Sequence, residues 1–201
     1  VSVTAWSNER KRSRALTLLL IGLLVALAAI PLVALYHAFS PRDTAAPDFT
    51  LVDQNGRSFT LSTLRGRPVA MFFGYTHCPD ECPTTLAHLA RAVRSTGVPT
   101  DAAIVFVTVD PERDTPAALK RYLALFDPHF IGLTGSRPTM NPVYAAYHAW
   151  SEAVPVHHGR DDYSVSHGTT IYYIGRDGSI KGLGEWDDGT SQIATALKEY
   201  Q

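Results

Sequence analysis

The chain has 201 residues, 45% of them hydrophobic and 18% charged, the balance of one ordinary globular domain with appendages rather than a disordered chain. Its formal charge of −1 joins a +3 segment at residues 1–14 (Arg10, Lys11, Arg12 and Arg14 against Glu9) to a remainder of −4. A mildly acidic body lacks the basic footprint of a nucleic-acid binder.

From Ala15 to Pro41 there is no charged side chain, and the apolar part, Ala15 to Tyr36, is 22 residues long. At ~1.5 Å per residue it spans about 33 Å, enough to cross a hydrocarbon core of roughly 30 Å. The basic cluster directly before it keeps the N-terminus inside and exports the rest of the chain. Residues 1–14 are therefore expected to be cytoplasmic, 15–36 a transmembrane anchor, 37–46 a linker and 47–201 the folded domain. The alternative is a cleaved signal peptide, since Ala26-Leu27-Ala28 resembles a small-residue cleavage site. The apolar run continues through Leu35, which favours an uncleaved single-pass anchor in the inner membrane. Both readings put residues 40–201 outside the cytoplasm.

Beyond Pro47 the punctuation is regular. Phe49-Thr50-Leu51 and Phe59-Thr60-Leu61 flank Asn55-Gly56 and read as a hairpin. Pro68 to Phe73 and Ala102 to Val109 are short apolar runs, the mark of buried strands. Between them, Cys82 to Arg94 carries Leu86, Leu89, Ala90 and Val93 on one helical face. Thr115-Pro116 opens a second helix, with the hydroxyl as N-cap and the proline in the first turn. A short strand near Phe130 to Leu133 and a helix from about Asn141 to Trp150 are expected next. Thr169 to Ile174 alternates like a strand, turns at Asp177-Gly178 and returns through Leu183. A last amphipathic helix carries Ile193, Ala196, Leu197 and Tyr200. A βαβ unit followed by a hairpin and a helix is an α/β, thioredoxin-like order.

The only two cysteines are Cys78 and Cys82, in Cys78-Pro79-Asp80-Glu81-Cys82 after the first buried strand. On the first turn of a helix they would share a face, with α-carbons about 6 Å apart, within reach of a disulfide or of one shared metal ion. A helix N-terminus also favours thiolate over thiol. A purely stapling disulfide explains little, because so short a ring removes only about 2 kcal/mol of unfolded-chain entropy. Thiolates hold Cu(I) well, and imidazole suits it as a further ligand. Of the eight histidines, His167 in Val165-Ser166-His167-Gly168 is the candidate, since in a thioredoxin fold this loop faces the cysteine helix. His77 is the runner-up, awkward as a simultaneous ligand because it adjoins Cys78. His157-His158 reads as solvated loop, His88, His129 and His148 as packing or surface residues, and His37 as membrane boundary.

Phe72-Phe73-Gly74-Tyr75-Thr76-His77-Cys78-Pro79-Asp80-Glu81-Cys82-Pro83 resembles the cysteine motif of the Sco/SenC family. Val109-Asp110-Pro111-Glu112-Arg113-Asp114-Thr115-Pro116 and Ile131-Gly132-Leu133-Thr134-Gly135 resemble its second and third blocks. The region of His167, Tyr172 and Asp177-Gly178 resembles the block with its distal histidine. The likeness runs from about Pro47 to Tyr200. It implies a thioredoxin-like copper chaperone that helps assemble the dinuclear copper centre of cytochrome c oxidase, with Cys78, Cys82 and His167 as ligands of Cu(I) or Cu(II). Its implied partners are the copper-bearing oxidase subunit and another periplasmic copper chaperone or thiol reductant. The family often has Asp immediately before the histidine, where this chain has Ser166, which bears on how the imidazole is oriented.

The competing reading makes Cys78 and Cys82 a redox-active pair, a thiol–disulfide reductase acting on the oxidase copper-site cysteines. Such reductases carry a proline opposite the cysteines, and Val165 to Thr170 has none. A thiol peroxidase fits less well, having Thr where this chain has Tyr75. The charged cluster Asp110, Glu112, Arg113 and Asp114 reads either as a partner-docking or site-supporting loop or, preferably, as a helix-start network capped by Asp114 or Thr115.

Overall fold

A computed structural model describes residues 44–155 and 163–200. Strand β1 (Thr44–Ala45) precedes a hairpin of β2 (Thr50–Asp53) and β3 (Ser58–Thr60). The hairpin turns at Gly56, whose φ of 77° suits glycine, and the Asp53 carboxylate accepts from the backbone N–H groups of Asn55 and Arg57. After a 3-10 turn at Leu61–Leu64 come β4 (Val69–Gly74), α1 (Glu81–Ala92) and β5 (Ala103–Thr108). Both strands are buried at every position, as their unbroken apolar runs require.

Helix α2 (Pro116–Leu123) starts as the sequence predicts, with Thr115 Oγ1 accepting from the Ala118 N–H. Strand β6 (Ile131–Thr134) and helix α3 (Arg137–Ala146) come next. Helix α3 begins and ends about four residues earlier than expected. Pro138 is its first-turn proline, and Pro142, which reads as a start signal, lies inside the helix. The chain leaves it at His148, which has a φ of 51°, so the segment to Trp150 is not helical.

The remaining elements are β7 (Ser151–Pro155), β8 (Tyr163–His167), β9 (Ile171–Ile174), β10 (Ser179–Gly184) and α4 (Thr190–Glu199). Strands β7 and β8 form a separate antiparallel ribbon, with Ser151 opposite His167. His167 therefore ends a strand rather than sitting in a loop. The main sheet has the order β1-β10-β9-β4-β5-β6-β2-β3. Strand β4 runs parallel to β5 and antiparallel to β9. Leu86 and Leu89 of α1 are fully buried, each stabilising by about 1.5–3 kcal/mol. This is the α/β, thioredoxin-like architecture. Among the described residues no helix is long and apolar enough to cross a membrane. The expected cytoplasmic segment and anchor lie outside those residues, while Thr44 and Ala45 of the expected linker pair with β10.

The topology brings three distant segments to one end of the sheet. Gly74 at the end of β4 lies opposite Thr108 at the end of parallel β5, so the loops 75–80 and 109–115 open on the same side. Because β9 is antiparallel, its first residue, Ile171, lies opposite Phe72 near that same end. His167, four residues earlier, must then lie beside the cysteine loop.

Candidate metal centre

The helix begins within a residue of Cys82, where the sequence reading starts it, so the two cysteines do not share one helical turn. Asp80 is the N-cap of α1, so Cys82 lies in the first turn while Cys78 belongs to the preceding loop, its N–H donating to the Tyr75 carbonyl. Pro79 and Asp80 delay the helix by those residues. Cys78 Sγ nevertheless sits at the helix N-terminus, where it accepts from the Cys82 N–H at 3.4 Å. Cys82 is wholly buried beneath Gly74, where an added Cβ would come within 2.8 Å of its sulfur. Both cysteines are free thiols.

His167 is 8% exposed, and its Nε2 lies 3.7 Å from Cys82 Sγ. Its Nδ1 is 2.7 Å from the Gly168 carbonyl, which can only accept; Nδ1 therefore carries a proton, and Nε2 is the nitrogen turned to the sulfurs. That contact resolves the question posed by Ser166. On a strand, neighbouring side chains alternate, and Ser166 is exposed while His167 is buried. The orienting acceptor is the carbonyl that comes after the histidine, not a side chain that precedes it. Tyr75 holds the other face of the ring edge-on, with centroids 5.6 Å apart.

The donor atoms of Cys78, Cys82 and His167 all lie within 4.8 Å of one another. The three residues singled out in the sequence thus converge. His77 does not join them: it is exposed, with Nδ1 3.0 Å from Thr76 Oγ1. His88 contacts Thr190, and His129 contacts Asp127. His37, His157 and His158 lie outside the described residues.

The sulfurs are electrically unequal. A hydrogen bond from the Cys82 thiol, opposed by burial and reinforced by His167, draws Cys78 down to about 4. The same contact with Cys78, together with burial, pushes Cys82 up. Burial pulls the His167 imidazole down, but its bonds to Cys78 and to the Gly168 carbonyl outweigh it, and the net direction is up. The two shifts run in opposite directions, favouring thiolate at the half-buried Cys78 and thiol at the buried Cys82. Two sulfurs and one imidazole suit a soft, thiophilic ion, with protons released as it binds. Cys78 and His167 line an open cleft, together with the carboxylates of Asp80 and Glu81.

The charged cluster after β5 combines both readings, a helix start capped by Thr115 and a loop that supports the site. Thr115 does cap α2, but Asp114 does not. Its buried carboxylate accepts from the Thr76 N–H and Oγ1 and from Thr108 Oγ1, fixing the cysteine loop. Burial holds that carboxyl above its usual range despite these bonds. Asp110 and Arg113 contact Tyr163, on the strand that carries His167. The cluster supports the site, and its density of charge directly after a buried strand was the available signal. Nothing local in the sequence marked Tyr75 or Tyr163.

The family model described as SCO1/SenC matches residues 38–201. The chain belongs to the SCO1/SenC family. It is 42% identical over 144 residues to a Stutzerimonas stutzeri protein named for copper binding, covering 71% of this chain and 70% of that one. It is 42% identical over 157 residues to the mitochondrial SCO2 homolog of Bos taurus, covering 76% of this chain and 58% of the bovine protein, so it spans less than two thirds of that relative. Among solved structures, Bradyrhizobium japonicum ScoI with copper bound superposes with a TM-score of 0.70 at 39% identity, over 79% of this chain and all of that one.

Proposed function

We propose that this SCO1/SenC protein is a copper chaperone rather than a turnover enzyme. It carries one copper ion on Cys78, Cys82 and His167 and delivers it to the dinuclear copper centre of cytochrome c oxidase. The observation that carries this reading is the convergence of two thiols and one oriented imidazole nitrogen within 4.8 Å. Support also comes from relatives: the Bradyrhizobium japonicum structure holds copper, and the Stutzerimonas stutzeri protein is named for binding it. The family resemblance supplies the oxidase as recipient. Residues 15–36 would anchor the protein in the inner membrane, with residues 47–201 on the outer side as the copper-binding domain. The uncharged run behind a basic cluster supports that topology.

A second reading, reduction of the oxidase copper-site cysteines, is favoured by the asymmetry of the cysteine pair. A half-buried thiolate backed by a buried thiol is the arrangement of a dithiol reductant.

His167→Ala separates the two. A chaperone needs the third ligand, whereas dithiol exchange gains little from it. The variant should lose at least ~10-fold in copper affinity, about 1.4 kcal/mol. It should also lose the thiolate-to-Cu(II) absorption of a mixed sulfur–nitrogen site, while exchanging disulfides with a small dithiol within a few-fold of wild type. Cells carrying it should make oxidase deficient in its dinuclear centre. Unchanged copper affinity with normal oxidase would remove His167 from the ligand set and advance the reductase.

A further inference from the structure

The site is assembled from two parts with no covalent neighbour in common: the cysteine loop after β4 and the histidine at the end of β8. Cys82 and His167 are 85 residues apart in sequence. Something must fix the separation of those parts, and the ribbon that carries His167 is not part of the main sheet.

We propose that the loop Asp110–Asp114 is the spacer that sets this separation, with Arg113 as its principal positioning residue. The proposal rests on the copper reading of the site. Consecutive residues of the loop face in two directions. Asp114 holds the cysteine side through the Thr76 N–H at 3.0 Å and Thr76 Oγ1 at 2.6 Å. Arg113 holds the histidine side. Its Nη1 donates to the Tyr163 carbonyl at 2.9 Å, and its guanidinium carbon stacks 3.7 Å from the Tyr163 ring centre. Its Nε donates to the buried Asp110 carboxylate, whose other oxygen accepts from the Tyr163 hydroxyl at 2.6 Å.

Asp110, Arg113 and Tyr163 therefore close a cycle in which every member touches the other two. A planar, multidentate cation stacked on an aromatic ring has one orientation, which a lysine cannot reproduce. Tyr163 is the first residue of β8, and a strand transmits position stiffly to His167 at its other end. The next residue adds a second tie: Ser164 Oγ lies 3.1 Å from the hydroxyl of Tyr75, the residue whose ring packs on His167. Arg113 Nη2 is buried without a hydrogen-bond partner among the described residues, so the guanidinium is held by its Nε, its Nη1 and its stacking on Tyr163.

The test uses the full-length protein in detergent, with Arg113→Gln, Arg113→Lys and Tyr163→Phe. Amide hydrogen exchange of the copper-free protein is read peptide by peptide, and Cu(I) affinity by competition with a chromophoric chelator. Arg113→Gln should speed exchange over residues 163–168 while residues 69–74 and 103–108 stay protected. It should weaken copper binding by about 10-fold, as loss of a partner behind a metal ligand does. Arg113→Lys should not rescue either readout. Tyr163→Phe, the milder change, should move both in the same direction. Leu197→Ala, a core deletion on α4, controls for stability and should leave copper affinity unchanged. Unaltered exchange over 163–168 in both Arg113→Gln and Tyr163→Phe overturns the proposal, as does faster exchange with wild-type copper affinity. If wild-type protein binds copper no better than a Cys78→Ser, Cys82→Ser double variant, the copper reading fails instead, and exchange alone decides the spacer.

Discussion

Gly74→Ala is the smallest change that reaches the buried sulfur. The added Cβ would lie 2.8 Å from Cys82 Sγ, 2.8 Å from Phe106 Cε2 and 3.0 Å from Phe72 Cζ. Ordinary van der Waals contact begins near 3.4 Å, so the sulfur or the glycine must yield by at least several tenths of an ångström. All the neighbours are buried, and Cys82 is fixed in the first turn of α1. Overpacking of this kind costs about 1–3 kcal/mol, offset by roughly 0.4–1 kcal/mol of reduced unfolded-chain entropy. The net destabilisation should be about 1–2 kcal/mol in urea titrations of the copper-free protein. Metal–sulfur distances tolerate only about 0.2 Å, so copper affinity should fall by about 10-fold or more. Adding Phe106→Leu relieves the contact with Phe106 but not the sulfur clash or the longer contact with Phe72. The double variant should regain stability without regaining affinity. Wild-type copper affinity in Gly74→Ala, with both thiols intact, would show that Cys82 Sγ does not hold the ion from beneath Gly74.

The charges give two further outcomes. Asp114→Asn should destabilise by about 1–3 kcal/mol, since a donor takes the place of one of the two acceptor oxygens of a buried carboxylate that accepts three hydrogen bonds. Burial raises the Asp114 carboxyl in the fold, so its contribution is complete below the unfolded value and declines as pH rises through the folded one. The deficit of the variant, by urea unfolding, should therefore be larger near about pH 4 than near about pH 7, and the opposite trend would refute that assignment. Cys78, drawn down to about 4, should be alkylated by iodoacetamide well before Cys82 at mildly acidic pH, and equal labelling by mass spectrometry would contradict the asymmetry.

Much of this architecture is legible because it is local. An unbroken apolar run marks β4 and β5, Asn55-Gly56 marks the first hairpin, and Thr115-Pro116 marks the start of α2. Each is a short-range preference that the folded chain does not override. The ribbon β7–β8 left no such mark: β7 is exposed along most of its length, so no alternation of apolar and polar residues announces it. The start of α3 was obscured by two prolines four residues apart, only one of which lies in the first turn. The cysteines share a metal-sized volume without sharing a turn, because the loop rather than the helix aims Cys78. The meeting of cysteines and histidine depends on β9 running antiparallel to β4, a pairing between residues about a hundred positions apart. No local pattern contains it, and His167 was named as a ligand only by assuming the thioredoxin-like order that brings its segment to the cysteine helix.

The fold's treatment of its two sulfurs bears on what the site is for. Cys78 opens to the cleft, where its pKa is drawn down, while Cys82 is sealed beneath Gly74. A pair of this kind serves disulfide exchange as well as it serves a metal, so the cysteines alone do not choose between the roles. The imidazole does. Burying it removes a polar ring from water, and that penalty is offset by giving Nδ1 to a carbonyl and packing the ring on Tyr75. Those two contacts leave Nε2 directed at the sulfurs. A dithiol reductant gains little from that arrangement, because an incoming disulfide needs only the exposed thiolate and its buried partner. A soft metal ion held by the two sulfurs would gain a third donor from the imidazole, which is carried on a separate strand. The oriented Nε2 of His167 is thus the feature on which the copper proposal rests, and the His167→Ala comparison decides between the two roles.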